Sequence, residues 1–126
     1  MEQKLVRAIE GKNLNGYSAL LDDKVVVTED GKEVARSKEE WLSIFGSKLG
    51  AKGVVFRIEA GYSSFGKILL IEYFNSMASW GRSTPAHCCW SYDAVSYDIG
   101  STGKIIAIRR LQGGDKVFHQ TDTRNK

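Results

Sequence analysis

Asp93 is the side chain best placed in this sequence to do chemistry. It lies in a strand-like run, residues 86–97, where alternation puts Cys89, Ser91, Asp93, Val95 and Tyr97 on one face. Cys88, Trp90, Tyr92, Ala94 and Ser96 share the other face. A carboxyl held among apolar neighbours resists ionisation, and in its protonated form it donates a hydrogen bond to a substrate oxygen or serves as an acid. His87, earlier on the same run, is a second candidate acid or base at the mouth of such a site. Arg110 would assist by binding substrate. The competing arrangement is an ion pair of Asp93 with Arg57 or Arg110, or a carboxylate that meets water.

Three aromatic residues could wall the site. Tyr17 and Trp41 fall on the apolar faces of helical segments, and Tyr73 lies in a strand; as pocket walls they favour a flat or cyclic apolar ligand. The plainer reading of all three is core packing. His87-Cys88-Cys89 has the residue types of a metal site, but successive strand residues point in opposite directions and do not share one tetrahedral ion. No phosphate-cradling glycine pattern is present either, so no cofactor is expected. Trp80, in the loop expected over residues 75–84, would act as a lid or pack locally.

The elements that position these residues follow from periodicity. Residues 2–10 read as an amphipathic helix with Leu5, Ala8 and Ile9 on one face, closed by Gly11 in a left-handed conformation. Asn13 caps a second, short helix carrying Leu14, Tyr17 and Leu21. Val25-Val26-Val27 marks a strand, the Asp30-Gly31 step a turn, and residues 33–36 a short edge strand. Ser37-Lys38-Glu39-Glu40 matches a capping box, opening a helix that stacks Trp41, Phe45 and Leu49, with Leu42 and Ile44 widening its apolar face. Residues 54–60 alternate as a half-buried strand, residues 61–66 form a turn, and residues 67–74 read as a strand covered on both faces. The run containing Asp93 then meets a Gly-rich turn at 98–103 and returns as residues 104–111. Residues 112–126 form a polar tail.

The order of these elements resembles that of the cone-shaped nuclear transport factor 2-like superfamily. Two stretches carry the likeness: residues 13–23, Asn-Leu-Asn-Gly-Tyr-Ser-Ala-Leu-Leu-Asp-Asp, and residues 92–98, Tyr-Asp-Ala-Val-Ser-Tyr-Asp, followed by Gly103-Lys104-Ile105-Ile106. The resemblance implies an α+β domain over residues 1–111, a curved and mostly antiparallel sheet wrapped around three helices, with a hydrophobic cavity between them. That superfamily includes ketosteroid isomerases, polyketide cyclases of the SnoaL type, limonene-epoxide hydrolases and scytalone dehydratases, together with non-catalytic members. Asp93 matches the isomerases' cavity aspartate, which stays protonated in an apolar site. The position of their general base falls on Thr28, however, and that of their oxyanion tyrosine near Leu5, so steroid-type isomerisation is not expected. The resemblance implies binding of a small apolar or cyclic molecule, with isomerisation, cyclisation or dehydration as the reaction classes; the alternative is a non-catalytic ligand-binding or protein-interaction module.

Composition narrows the partners. The 126 residues include 18 basic and 15 acidic side chains, a formal charge of +3. Basic and acidic residues are interleaved, whereas nucleic-acid binders gather basic residues on one face, so no nucleic acid is expected. No stretch resembles a signal peptide or a membrane span, and the two cysteines are adjacent; both features favour a cytoplasmic protein with no membrane partner. The face opposite Asp93 carries Cys88, Trp90, Tyr92 and Ala94. That is too apolar for a solvated surface, which predicts a homodimer through the sheet's convex face with Trp90 and Tyr92 central.

Overall fold

The structure is a computed structural model that describes residues 1–75 and 90–113. Helices α1 (Glu2–Glu10) and α2 (Leu14–Ser18) lead into strands β1 (Leu21–Glu29) and β2 (Lys32–Ala35). Helix α3 (Lys38–Leu49) follows, then β3 (Val55–Ser64), β4 (Lys67–Asn75), β5 (Trp90–Ile99) and β6 (Ile105–Leu111). The strands form one curved, unclosed sheet in the order β2-β1-β6-β5-β4-β3. Its neighbours run antiparallel except β1 and β6, which pair in parallel and bring the first and last described strands together.

Helix α1 buries Leu5, Ala8 and Ile9 as its spacing predicts. It does not end on a left-handed glycine: Gly11 has φ −84°, and Lys12 takes the positive φ of 53°. Glycine suits position 11 for a different reason, since a Cβ there would sit 2.9 Å from the Arg7 carbonyl oxygen. Asn13 caps α2, its Oδ1 accepting from the Gly16 N–H at 3.0 Å. Leu21 belongs to β1 rather than to this helix. The Asp30-Gly31 turn has φ of 51° and 84°, the positive pair that a tight hairpin requires.

Ser37 caps α3 by accepting from the Glu40 N–H at 3.1 Å, while Glu40 reaches back to the Arg36 N–H at 2.8 Å, one residue further than a standard capping box. Trp41, Phe45 and Leu49 are buried as their four-residue spacing requires. Ile44 does not widen that face: it is 47% exposed, lying about 100° round the helix from Phe45 at the centre of the row. Gly46 allows α2 and α3 to approach, since a Cβ would lie 3.1 Å from Leu14 Cδ2.

Two expectations for the sheet are corrected. Strand β3 runs on through residues 61–64, and the turn is confined to Phe65 and Gly66, where φ at Gly66 is 65°. Gly61 marks a close approach inside the strand, because a Cβ would meet Glu2 Oε2 and Leu70 Cδ2 at 3.1 Å. Strand β4 is covered on one face only: Ile68, Leu70 and Glu72 are buried, whereas Leu69 is 43% exposed. The core lies between the inner sheet face and the helices. Its centre is a chain of rings, Tyr17 to Phe45 at 4.9 Å, Phe45 to Trp41 at 5.1 Å, Phe45 to Phe56 at 5.7 Å and Phe56 to Phe74 at 5.2 Å.

Candidate functional site

Three adjacent strands direct charged side chains to the inner face, among those rings. Glu72 on β4 stands opposite Asp93 on β5, and Arg110 on β6 is paired with Val95, two residues further along that same β5 face. Arg110 Nη1 lies 3.2 Å from Glu72 Oε1 and Nη2 lies 3.4 Å from Asp93 Oδ2. Glu29, its neighbour on β1, brings Oε2 to 3.5 Å from Nε. Arg110, Glu72 and Asp93 are each buried to within 2% of full exclusion from solvent. The guanidinium carbon is 5.7 Å from the Trp41 ring centre and 5.4 Å from that of Phe45, within range of a cation–π attraction.

Arg110 Nε is buried without a hydrogen bond, facing Glu29 as an ion pair only; other polar atoms of the cluster are engaged. Tyr97 donates its hydroxyl to Glu72 Oε2, and the Gly113 N–H donates to Asp93 Oδ1 at 3.2 Å. The Trp41 indole N–H donates to the Tyr17 hydroxyl at 2.7 Å, and both side chains are fully buried. Burial opposes the Arg110 charge, but Glu72 and the other partners outweigh it and hold the guanidinium's pKa above its ordinary value. Burial pushes the Tyr17 hydroxyl up, with the Trp41 hydrogen bond working against it. Burial likewise raises Tyr97, and the Glu72 carboxylate adds to the effect. Lys48, in the last turn of α3, is shifted the other way, lowered by burial and then by Arg110.

Of the residues singled out in the sequence, Tyr17, Trp41, Asp93 and Arg110 come together here. Arg57 does not join them: it is exposed on the other sheet face, stacked 4.4 Å over Tyr73 and paired with Glu59 at 2.6 Å. Tyr73 also points to that convex face, where its ring is 5.1 Å from Tyr92, so it does not wall the same site as Trp41. His87, Cys88, Cys89 and Trp80 lie outside the described residues, as does most of the tail expected over residues 112–126. Among the described residues, no set of His, Cys, Asp and Glu side chains could hold a metal ion, and no helix is long and apolar enough to cross a membrane.

Glu72 was missed in the sequence, as was its pairing with Tyr97. A signal existed: Ile68, Leu70, Glu72 and Phe74 alternate onto one face, and a single carboxylate in an apolar row requires a buried counter-charge. Glu29 gave no such signal, because it ends a strand beside a polar turn.

What the arrangement can do is specific. Two carboxylates bridged by one guanidinium offer a base, a proton store linked to a tyrosine, and a cation that stabilises negative charge developing on a substrate oxygen. No sequence family matches the chain, and no curated protein matches it. Solved structures do. A nuclear transport factor 2-like protein of unknown function from Cytophaga hutchinsonii superposes with a TM-score of 0.68 at 9% identity, over 93% of this chain and 90% of that one. An epoxide hydrolase of the limonene-epoxide-hydrolase-like type from Mycobacterium tuberculosis gives 0.65 at 12% identity, over 88% and 78%. A second M. tuberculosis protein, in complex with estradiol-17β-hemisuccinate, gives 0.65 at 20% identity, over 86% and 88%. The helices, the six-strand order and these superpositions give the chain the nuclear transport factor 2-like fold.

Proposed function

We propose that this protein binds a small apolar or cyclic molecule on the concave side of its sheet and isomerises, cyclises or dehydrates it. The observation that carries the reading is the Glu72–Arg110–Asp93 cluster, whose ion pairs of 3.2 and 3.4 Å are buried beside the Trp41 and Phe45 rings. Withdrawing such charges from water costs several kcal/mol per ion, about as much as their attraction returns, so the cluster is a poor device for stability alone. As a reactive centre it is well composed. Asp93 acts at the substrate proton, Arg110 stabilises the oxygen that gains charge, and Tyr97 with Glu72 returns a proton. His87, outside the described residues, is the further acid or base that the sequence offers. The two M. tuberculosis neighbours, one an epoxide hydrolase and one a complex with a steroid ester, support an apolar cyclic ligand.

A non-catalytic binding module is the second reading. It is favoured by the saturation of Asp93, both of whose oxygens already accept hydrogen bonds within the protein. Titrating flat apolar compounds, estradiol-17β-hemisuccinate among them, against tryptophan fluorescence tests binding. Saturable quenching that Trp41→Phe removes is the expected result, and the absence of quenching by any compound would end the proposal. Turnover of a bound compound that Asp93→Asn abolishes without loss of binding identifies an enzyme. Binding without turnover identifies the module.

The same reading places a second copy of the chain on the convex face and the protein in the cytoplasm. Trp90, 39% exposed, packs edge-on to Tyr92 at 6.0 Å. Beside them, a groove of about 660 Å³ is lined by Ile71, Tyr92, Ala94 and Leu111. A contiguous apolar surface of this kind is suited to an interface anchored by aromatic residues.

A further inference from the structure

The groove of about 660 Å³ on the convex face is set into three adjacent strands. Register puts Ile71 of β4 opposite Ala94 of β5, and Ala94 opposite Leu111 of β6. The small Ala94 forms the floor, and the longer side chains on either side stand up as walls. Tyr92, two residues back on the same face of β5, extends the apolar lining. A hollow of this size is within the range of small-molecule sites, which combine an apolar lining with a few placed polar groups.

Beyond Leu111 the strand ends, and the chain passes along β5 at Gln112 and Gly113, which close the groove. Glycine is required there, because a Cβ on residue 113 would lie 2.1 Å from the Tyr92 carbonyl oxygen. Three hydrogen bonds fix this wall. The Asp30 N–H donates to the Arg110 carbonyl at 2.8 Å, the Gln112 N–H to Asp30 Oδ1 at 3.0 Å, and the Gly113 N–H to Asp93 Oδ1 at 3.2 Å.

Asp30 is the one charged side chain among the described residues that line the groove. Its carboxylate accepts that Gln112 N–H, and among the described residues no lysine or arginine pairs with it. The cations of β6 are committed elsewhere: Arg109 pairs with Asp98 at 2.6 Å, and Arg110 faces the buried carboxylates on the other side of the sheet. A second copy laid groove to groove would bring another Asp30, like charge against like. An ammonium on an apolar body answers both the carboxylate and the lining. Trp90, the expected anchor of the second copy, does not line the groove; Tyr92 is the wall that the two surfaces share.

We propose that this groove is a binding site for a small organic amine, with its apolar body against Ile71, Ala94 and Leu111 and its ammonium at Asp30. It is separate from the concave site, whose Trp41 and Phe45 rings lie across the sheet beside Arg110.

Isothermal titration calorimetry compares naphthylmethylamine, an ammonium at neutral pH, with naphthylmethanol, its uncharged counterpart of nearly the same shape. The unmodified chain is expected to bind the amine on the order of five-fold tighter, the discrimination that a favourable exposed ion pair supplies. Asp30→Asn keeps an acceptor for Gln112 and tolerates the positive φ of 51°, but it removes the charge, so the two probes should bind it equally. Ala94→Leu fills the floor and is expected to lose both. Trp41→Phe leaves both unchanged, so the groove and the concave site stand or fall separately. Equal affinity of the two probes for the unmodified chain, or a preference that survives Asp30→Asn, overturns the proposal. So does the absence of binding by either probe; a dimer by light scattering in that case would assign the groove to the second copy.

Discussion

Glu10 on helix α1 accepts a hydrogen bond from the backbone N–H of Ile58 at 2.9 Å, and so closes the outer edge of β3 beside its bulge. An edge strand leaves alternate N–H groups unpaired, open to another chain. The helix blunts that edge at Ile58 through Glu10, and Glu2 at its other end accepts from the Ser63 side-chain hydroxyl.

Glu10→Ala is expected to lower stability by about 1 kcal/mol, the usual net worth of such a bond. Urea unfolding measures it. The variant should also self-associate through β3 at high concentration, visible by analytical ultracentrifugation.

Arg110→Met tests the central cluster. It leaves Glu72 and Asp93 buried without their counter-charge, at an expected cost of about 3–5 kcal/mol. Adding Glu72→Gln and Asp93→Asn to Arg110→Met should recover most of that loss, because no unpaired charge then remains inside. Denaturant titration of the single and triple variants gives the comparison. A triple variant no more stable than Arg110→Met would show that the three groups do not act as a unit.

Alkaline stability follows from Tyr17 and Tyr97. Both hydroxyls titrate above their ordinary value of 10.0 in the folded protein, because burial disfavours the anion. Above pH 10 the unfolded chain loses protons that the folded one keeps, so stability falls as pH rises, by about 1.4 kcal/mol per pH unit for each tyrosine. Lys48 works in the opposite sense below its ordinary 10.5, since its folded pKa is lowered. Unfolding free energies between pH 9 and 11 are expected to bend downward, and Tyr97→Phe should remove roughly half the slope.

Trp90→Glu addresses the convex face. The substitution sets a carboxylate at the centre of the expected contact, with Tyr92 6.0 Å away and no lysine or arginine among the described residues that line the groove beside it. Light scattering at tens of micromolar should report a dimer for the unmodified chain and a monomer for the variant. A monomeric unmodified chain would rule out the pairing.

The fold was largely legible in sequence, for local reasons. Asn13 and Ser37 announce helix starts through their own capping bonds, and Asp30-Gly31 announces a hairpin through its backbone conformation. Strand β3 was harder. Gly61 looks like punctuation in sequence, yet it remains in the strand because Glu2 and Leu70 press against its backbone from elsewhere in the chain. The same limit applies to the site. Alternation put Asp93 on the inner face, but Arg57 and Arg110 were equal candidates to pair with it. Only strand order and register decide between them. Glu72, Glu29 and Lys48 join the neighbourhood from three further elements, and no local pattern links those positions.

The parallel pairing of β1 with β6 has a consequence for how the chain is made. Synthesis is vectorial, and Glu29, Glu72 and Asp93 all leave the ribosome before Arg110 does. Until residues 105–111 emerge, β1 lacks its inner neighbour and three carboxylates lack their guanidinium. The nascent protein therefore cannot seal its interior stepwise. Closure waits for β6, and a chain arrested short of Arg110 exposes an acidic, ring-lined sheet face to whatever chaperone meets it first.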